Sequence, residues 1–287
     1  MSLLWYPAPA KLNLGLRIVG RRDDGYHLLQ TIFQIIDLND ELAFEPSPDG
    51  QVSRGLVEGS QAAAIEAVDW SKDLCLRAAL ALRAATGVSA GVRIHLRKNI
   101  PLGGGLGGGS SDAATALCVL NRLWGTALGV DRLAELALPL GADVPVFVRG
   151  RSAAGEGVGE KLTPIELPPA CFVVVHPGVP VATRDVFQAP ELTRNSAILT
   201  IRALLASGDL NDCEPVVRAR VPEVAAALDW LGGFATARLT GTGACIYARF
   251  ASADTAAEVV RQVPRPWRAW VVRGLSESPL LRRLEEL

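Results

Sequence analysis

Apolar and polar residues alternate along positions 92–97, and this period of two predicts a β-strand with one buried face. In that alternation His95 points outward, so we expect it to be a solvent-facing strand residue. Further along, apolar side chains recur at a spacing that forms one stripe on a helix over 110–124, at positions 113, 114, 117, 120 and 124. Between them lies a glycine-rich stretch, so the predicted order is strand, glycine loop, helix.

The start of this helix carries three residues that commonly cap helices. Ser110, Ser111 and Asp112 all have a side-chain oxygen that can accept a hydrogen bond from a free backbone N–H group. The carboxylate of Asp112 also suits the positive end of a helix dipole. We therefore predict that one of these side chains caps the helix.

Similar patterns predict the remaining elements. Helices are predicted over 73–85, ended by Gly87, over 131–138, ended before Pro139, and over 252–260. Short strands are predicted over 171–175, 244–250 and 271–273. Strands and helices are thus mixed through both halves, and 287 residues suggest two domains. The Pro/Gly-rich segment 155–169 is the best place to divide them.

Composition and charge narrow the possible partners. Half the chain is hydrophobic (49%), and 29 Lys+Arg against 30 Asp+Glu leave a net charge of -1. Such a balance provides no global field for a nucleic acid or an anionic membrane, so an anionic ligand must be held locally. Neither a basic leader nor a membrane-length apolar run is present, and we expect a soluble cytoplasmic protein.

Cysteine and histidine do not suggest a metal centre or disulfides. The five cysteines include no C-x-x-C pair, and an odd number cannot form a complete disulfide set. We expect them to be small core residues in a reducing compartment. The three histidines are dispersed, without the ligand spacing of a zinc site.

Six of the 28 glycines fall between positions 103 and 109. Each glycine in a regular element costs about 0.5–1 kcal/mol relative to alanine, so bare backbone must be needed here. A bound polyphosphate explains it, because the backbone N–H groups of such a loop and of the following helix can converge on an anion. The alternative is a flexible linker or a tight turn.

Other nucleotide-binding and catalytic motifs fit poorly. No lysine follows Gly109, which excludes a P-loop. The glycines formally satisfy G-x-G-x-x-G, but Asp131, at the distance of the expected acidic residue, begins a predicted helix. The H-R-D and D-F-G motifs of protein kinases and the G-x-S-x-G motif of hydrolases do not occur.

Residues 101–114, Pro-Leu-Gly-Gly-Gly-Leu-Gly-Gly-Gly-Ser-Ser-Asp-Ala-Ala, resemble the ATP loop of the GHMP superfamily of small-molecule kinases. Four further motifs narrow the resemblance to one member: Pro-Ala-Lys-Leu-Asn-Leu at 9–14, Asp-Gly-Tyr-His at 24–27, Gly-Ala-Asp-Val-Pro at 141–145 and Thr-Gly-Thr-Gly-Ala-Cys at 240–245. That member transfers the γ-phosphoryl group of ATP to the 2-hydroxyl of a cytidine-diphosphate-linked methylerythritol. Mg²⁺ is implied as the ion that accompanies ATP.

The resemblance implies an α+β fold of two domains with the site between them. The N-terminal ATP-binding domain is expected over 1–163 and the C-terminal, ferredoxin-like substrate domain over 164–287. Lys11 and Asp143 match the family's catalytic pair, although singly they could be a solvated charge and a turn cap. The matched ATP-binding positions are Pro101, Leu102, Gly103, Gly104, Gly105, Leu106, Gly107, Gly108, Gly109, Ser110 and Ser111.

Six further residues match substrate positions of the family. Tyr26 and Phe187 match the residues that stack on the cytosine, and His27 the residue that reads its edge. Asn13 and Lys98 match positions near the substrate or its phosphates, and Thr183 is a weaker match. The structural alternatives are a turn amide for Asn13, a surface lysine for Lys98 and a core aromatic for Phe187.

Thr240 and Thr242 stand where the family often has serine, which keeps the hydroxyl groups. Two other functions stay open: another superfamily kinase, acting for example on mevalonate or homoserine, and a nucleotide-binding module without catalysis. A pair of aromatic residues that stacks on a base distinguishes the predicted kinase from the first alternative, because mevalonate and homoserine have no base. The sequence does not determine the oligomeric state or the metal ligands.

Overall fold

A computed structural model describes residues 3–206 and 210–286. Its strands are β1 (Trp5–Arg21), β2 (His27–Ser47), β3 (Val52–Glu58), β4 (Gly91–Arg97), β5 (Ala153–Glu156), β6 (Lys161–Pro164), β7 (Cys171–His176), β8 (Ala237–Leu239), β9 (Ile246–Phe250) and β10 (Arg268–Leu275). Its helices are α1 (Ala62–Glu66), α2 (Leu74–Thr86), α3 (Gly108–Leu123), α4 (Val130–Ala137), α5 (Val144–Arg149), α6 (Thr183–Gln188), α7 (Ile201–Ala206), α8 (Glu214–Arg220), α9 (Pro222–Gly232), α10 (Ala253–Val260) and α11 (Pro279–Glu285). Short 3₁₀ turns lie at Trp70–Lys72 and Leu138–Leu140.

The first half is built on the long antiparallel pair of β1 and β2. Strand β4 pairs with β2, and β3 runs parallel to β4 at the edge. Helices α2 and α3 cover this sheet, and α5 packs against α3. Every residue of α3 from Ser111 to Asn121 is buried, so the helix is enclosed on all sides and not only along its predicted apolar stripe. Its many alanines allow the neighbouring elements to approach closely.

Apart from helices α6, α7 and α11, the second half has the order β7, α8 and α9, β8, β9, α10, β10. Its strands are all antiparallel and lie in the spatial order β10-β7-β9-β8. This β-α-β-β-α-β arrangement is the ferredoxin-like plan. Strand β10 also pairs with β2, through Gly274 with Ile36 and Leu275 with Ile35, which joins the two halves into one sheet. The predicted α+β class and ferredoxin-like second domain are confirmed.

The end of the chain returns to the first half. Helix α11 packs against β1 and α3, and Leu280 is buried in the core that they share. Leu281 lies directly over Gly150 at the end of α5. Helix α11, at the end of the second half, therefore contributes to the core of the first half.

The strand predicted over 92–97 is confirmed, but the outward position of His95 is wrong. Its side chain is buried, because neighbouring strand β3 carries Gly55 and leaves room for the ring. The Leu56 amide donates to His95 Nδ1 at 3.0 Å, and Nε2 lies 3.3 Å from the Glu45 carboxylate. Because the adjacent strand carries a glycine, the position that was expected to be exposed is buried and hydrogen-bonded.

Most other predicted elements are confirmed. Asp73 caps the N-terminus of α2, and Gly87 ends it in the left-handed region with φ of 73°. Helix α4 ends before Pro139 as predicted, and Ser252 caps α10. Strands β7 and β10 contain the predicted segments, and β10 extends in both directions, whereas β9 begins at Ile246, two residues after the predicted start.

The five cysteines are free and buried, as the composition predicted. Among the described residues, no helix is long and apolar enough to cross a membrane.

Candidate active site

A cavity of about 1180 Å³ lies between the glycine loop, the β1–β2 pair and helix α6. Its walls come from both halves of the chain. All of the predicted site residues line it except Ser111, which is buried behind the first turn of α3. The structure therefore brings together motifs that are dispersed through the sequence.

The glycine loop is held on two sides and is not a flexible linker. The amides of Ala244 and Cys245 donate to the Gly103 and Gly104 carbonyl groups at 2.9 and 3.1 Å. The Lys11 amide donates to the Leu106 carbonyl at 3.0 Å. Gly105 has φ of 71°, and a Cβ atom there would lie 2.3 Å from the Thr240 carbonyl oxygen. Glycine is needed at this position because the two loops touch.

Helix α3 begins earlier than predicted, and its side-chain cap is absent. Gly107, in the left-handed region with φ of 72°, is the N-cap residue, and no side chain caps the helix. The prediction that Ser110, Ser111 or Asp112 caps it is wrong, because all three lie inside the helix. Its first intrahelical hydrogen bond runs from the Ser111 amide to the Gly107 carbonyl at 2.8 Å. The preceding amides are left for a ligand, as an anion site at a helix start requires.

Lys11 extends from β1 toward the loop and is almost fully buried. Its Nζ donates to Asn13 Oδ1 and to the Gly105 carbonyl, the latter at 2.9 Å. The third neighbour is Asp143, whose Oδ2 lies 3.3 Å from Nζ. An ammonium group has three N–H donors, so this set of acceptors fixes its position.

Asp143 is the N-cap residue of α5 by position, but its side chain does not cap the helix. Its carboxylate stays 35% exposed while the paired Lys11 is 3% exposed. The alternative role as a turn cap is therefore not what its side chain does. The carboxylate faces the cavity with one side held by the ammonium group.

Asn13 is buried and is oriented by two hydroxyl groups. Its Nδ2 donates to Thr31 Oγ1 at 2.8 Å, and Thr31 Oγ1 donates to the Gly15 carbonyl at 2.7 Å. The backbone N–H group of Asn13 donates to Thr240 Oγ1 at 2.9 Å. The side-chain oxygen Oδ1 of Asn13 is therefore left to accept a hydrogen bond from the Lys11 ammonium. The side chain of Asn13 orients the lysine, so Asn13 is not a turn residue.

Lys98 is not a surface lysine, because its side chain is buried between two carboxylates. Nζ contacts Asp40 Oδ2 and lies 2.8 Å from Asp112 Oδ2. Burial disfavours its charge, but the two carboxylates outweigh that cost and raise the pKa of Lys98 above its ordinary value. Burial also raises the pKa of Asp112 well above its ordinary value. The triad ties the end of β4 to the start of α3.

The predicted base-binding residues meet at the other end of the cavity. His27 and Phe187 stack with ring centroids 5.0 Å apart and an interplanar angle of 25°. Tyr26 stands at the rim, 63% exposed. Burial, and then the charges of Arg194 and Arg21, lower the pKa of His27, which keeps its ring neutral. Thr183 lies nearby, with its hydroxyl 2.9 Å from that of Thr242.

Sequence reasoning missed three arginines that line this end of the cavity: Arg21, Arg184 and Arg194. They supply the local positive charge that the near-neutral chain needs to hold an anion. Arg194 contacts His27, whereas its flanking residues carry no recognisable motif. A contact between residues so far apart in sequence leaves no signal in a single chain.

Comparisons with known proteins agree with this arrangement. The model described as GHMP kinases N terminal domain matches residues 73–151, and the model described as GHMP kinases C terminal matches residues 189–269. The 4-diphosphocytidyl-2-C-methyl-D-erythritol kinase of Nitrosococcus oceani is 52% identical over 284 residues, which is 99% of each chain. The chain belongs to the 4-diphosphocytidyl-2-C-methyl-D-erythritol kinase family. As a member of this family, it is a phosphotransferase.

Two further comparisons place this family member among its relatives. The same-named kinase of Alkalilimnicola ehrlichii is 54% identical over 279 residues, covering 97% of this chain and 94% of that one. A crystal structure of 4-(cytidine 5'-diphospho)-2C-methyl-D-erythritol kinase matches with a TM-score of 0.78 at 35% identity, over 95% of this chain and all of that chain. A homoserine kinase from Cytophaga hutchinsonii, at 18% identity and a TM-score of 0.70, shares the fold.

Proposed function

We propose that the protein transfers the γ-phosphoryl group of ATP to the 2-hydroxyl of 4-diphosphocytidyl-2-C-methyl-D-erythritol, a step of non-mevalonate isoprenoid biosynthesis. One observation carries the proposal. A single cavity joins the glycine loop and the Lys11–Asp143 pair to an aromatic site at its far end. Mevalonate and homoserine have no base to stack, so an aromatic site favours the cytidyl acceptor over theirs.

The Lys11–Asp143 pair suits transfer to a hydroxyl group. The Asp143 carboxylate, open to the cavity, can accept a hydrogen bond from the acceptor hydroxyl and then its proton. Because phosphoryl transfer is usually loose, Asp143 mainly orients the hydroxyl and takes the proton late. The buried ammonium of Lys11 holds one side of the carboxylate in place and offsets charge on the transferred group.

The glycine loop and the start of α3 would hold the phosphates of ATP. Backbone amides fixed in place stabilise developing negative charge without reorganising during the reaction. Lys98 lies beneath this loop, since a Cβ atom on Gly108 would be 3.0 Å from its Nζ. Its charge is shared with Asp40 and Asp112, so we assign it to shaping the loop and its local field.

A magnesium ion would enter with ATP as part of that substrate. Among the described residues, no group of three or more His, Cys, Asp or Glu side chains forms a metal cage. Ser111 is buried behind the first turn of α3 and does not line the cavity, so its hydroxyl does not reach an ion bound to the phosphates. With no such cage in the described part of the chain, the ion would keep its phosphate and water ligands, and its charge would neutralise the phosphates.

For the substrate we propose that Tyr26 and Phe187 stack on the cytosine and that His27 reads its edge. Stacking on aromatic side chains is worth about 1–3 kcal/mol per base. Asn13 and Thr183 would lie along the path between the base and the reacting hydroxyl. We also propose a division into domains at 1–163 and 164–287, each contributing one wall of the cavity.

The decisive experiment is a substrate panel scored by ADP formation with ATP and Mg²⁺. We expect turnover with the cytidyl substrate and little with bare methylerythritol, mevalonate or homoserine. Asp143→Asn should bind ATP normally and lose at least about 100-fold in kcat. Equal turnover with the bare polyol would contradict the assignment of the cytidyl substrate. Near-normal turnover of Asp143→Asn would contradict the role of Asp143 as the base.

A further inference from the structure

One side chain contacts both members of the stacked pair at the base end of the cavity. Arg194 Nε donates to His27 Nε2 at 3.2 Å. Its terminal nitrogens donate to the carbonyl groups of Phe187 at 3.0 Å, Ala189 at 2.6 Å and Leu192 at 3.0 Å. His27 begins β2 and Phe187 lies on α6, so Arg194 holds two distant segments of the chain together.

The chemistry of this contact determines where the proton of His27 lies. A guanidinium group remains protonated and has only N–H donors, so it cannot accept a hydrogen bond. His27 Nε2 must therefore offer its lone pair. A neutral imidazole with an unprotonated Nε2 carries its proton on Nδ1. No hydrogen-bond partner for Nδ1 lies within residues 3–206 and 210–286, and His27 lines the cavity.

We propose that Arg194 is a positioning residue for the base site, holding His27 against Phe187 as the neutral Nδ1–H tautomer. This inference rests on the proposed function. The imidazole then offers a donor to the bound base, and ring acceptors such as N3 and O2 of cytosine suit it. Without Arg194 the ring can adopt either tautomer or take a second proton, and neither alternative gives the same hydrogen bond.

The surrounding charges support a neutral ring. Arg21 on β1 is the register partner of His27, and Arg194 approaches it from the 189–194 segment. The nearby carboxylate of Asp24 is paired with Arg22 at 2.7 Å. Burial together with the two arginines lowers the pKa of His27. Removing Arg194 should raise that pKa toward its ordinary value of about 6.5.

Arg194→Gln and Arg194→Lys test the proposal, with Arg220→Gln as the matched control. Arg220 is an exposed arginine on α8 that pairs with Glu191 and lies outside the cavity. For Arg194→Gln we expect the KM of the cytidyl substrate to rise roughly 10- to 100-fold, as for loss of a charge-assisted hydrogen bond. The KM of ATP and kcat should change little. Arg194→Lys keeps the charge and a donor, so its KM for the cytidyl substrate should lie between those of the wild type and Arg194→Gln.

Two further measurements separate positioning from a general structural effect. On acidification, the rise in KM for the cytidyl substrate should begin at a higher pH in Arg194→Gln than in the wild type or Arg194→Lys. In ¹⁵N NMR, the wild-type His27 signals, assigned with His27→Gln, should show Nδ1 protonated and Nε2 unprotonated. The wild-type spectrum tests the tautomer even if the Arg194 variants fold poorly.

Several results would overturn the inference. A wild-type spectrum with Nε2 protonated contradicts the tautomer. Equal rises in both KM values, or unchanged pH profiles, contradict the positioning role. These outcomes differ from failure of the proposed function, in which the wild type itself would not prefer the cytidyl substrate over the bare polyol.

Discussion

Gly105 shows how one residue can combine backbone conformation with close packing. Its φ of 71° strains any side chain, and the Thr240 carbonyl occupies the space that a Cβ atom would need. Other glycines with similar φ, such as Gly125, have nothing within 4 Å of that position. Conformation and packing can therefore be separated by experiment.

We predict that Gly105→Ala reduces both stability and activity. Strain of this kind costs about 1–3 kcal/mol, and displacement of the loop should lower kcat/KM for ATP on the order of 100-fold. Gly125→Ala should lose only about 1–2 kcal/mol and keep its kinetics, because only the left-handed φ is unfavourable. Thermal unfolding and steady-state kinetics measure both effects. Equal kinetics for the two variants would show that contact with Thr240 is unimportant.

At the scale of elements, a buried triad joins the end of strand β4 to helix α3. Lys98 stands between Asp40 and Asp112, and Asp40 Oδ1 also accepts from the Asn99 and Ile100 amides at 2.6 and 2.8 Å. The triad therefore fixes the chain just before the glycine loop. It contains two carboxylates and one ammonium, so its stability depends on that ammonium.

We predict that Lys98→Met lowers the free energy of unfolding by about 3–5 kcal/mol, because it leaves two buried carboxylates without their partner. The loss should grow with pH. The pKa of Asp112 is already raised by burial, and it rises further without Lys98, so the folded state keeps a proton that the unfolded state releases above about pH 4. Stability then falls as the pH rises above the ordinary range of a carboxyl group.

Urea unfolding at several pH values measures this dependence. In the wild type, the charged Lys98 stabilises the triad at all of these pH values, because its raised pKa keeps it protonated well above them. The exposed Lys72 provides the control, and Lys72→Met should change stability by no more than about 0.5 kcal/mol. Parallel pH curves for wild type and Lys98→Met would argue against the triad.

On the scale of the whole molecule, the two halves are joined by more than the cavity. Strand β10 extends the sheet onto β2, and α11 then places Leu280 in the core of the first half. The last residues of the chain therefore stabilise the part that carries the glycine loop and Lys11. We expect both halves to unfold together.

We predict that Leu280→Ala destabilises the protein by about 2–5 kcal/mol, as for other buried leucines. Leu123, which is 46% exposed at the end of α3, is the control, and Leu123→Ala should cost about 0.5 kcal/mol or less. Urea unfolding followed by tryptophan fluorescence and by activity should give one transition. If Leu280→Ala behaved like Leu123→Ala, the proposed role of α11 would be wrong.

Local features were accessible from the sequence because neighbouring residues determine them. Periodicity predicted α2, α4, α10 and the strand around 92–97, and the contiguous motifs predicted which residues meet in the cavity. The family resemblance implied the fold and the family, and the comparisons confirm both. The assigned roles of individual site residues stay predictions until they are measured.

By itself, then, the sequence determined part of the secondary structure, the glycine loop and the family, since each depends on adjacent positions. Only the tertiary structure decided which charges and rings are buried and what they contact. Lys98 and Asp40 are 58 positions apart, and Arg194 and His27 are 167 apart. Their pairing, like the burial of His95 against Gly55, depends on how distant segments pack, which no local pattern encodes.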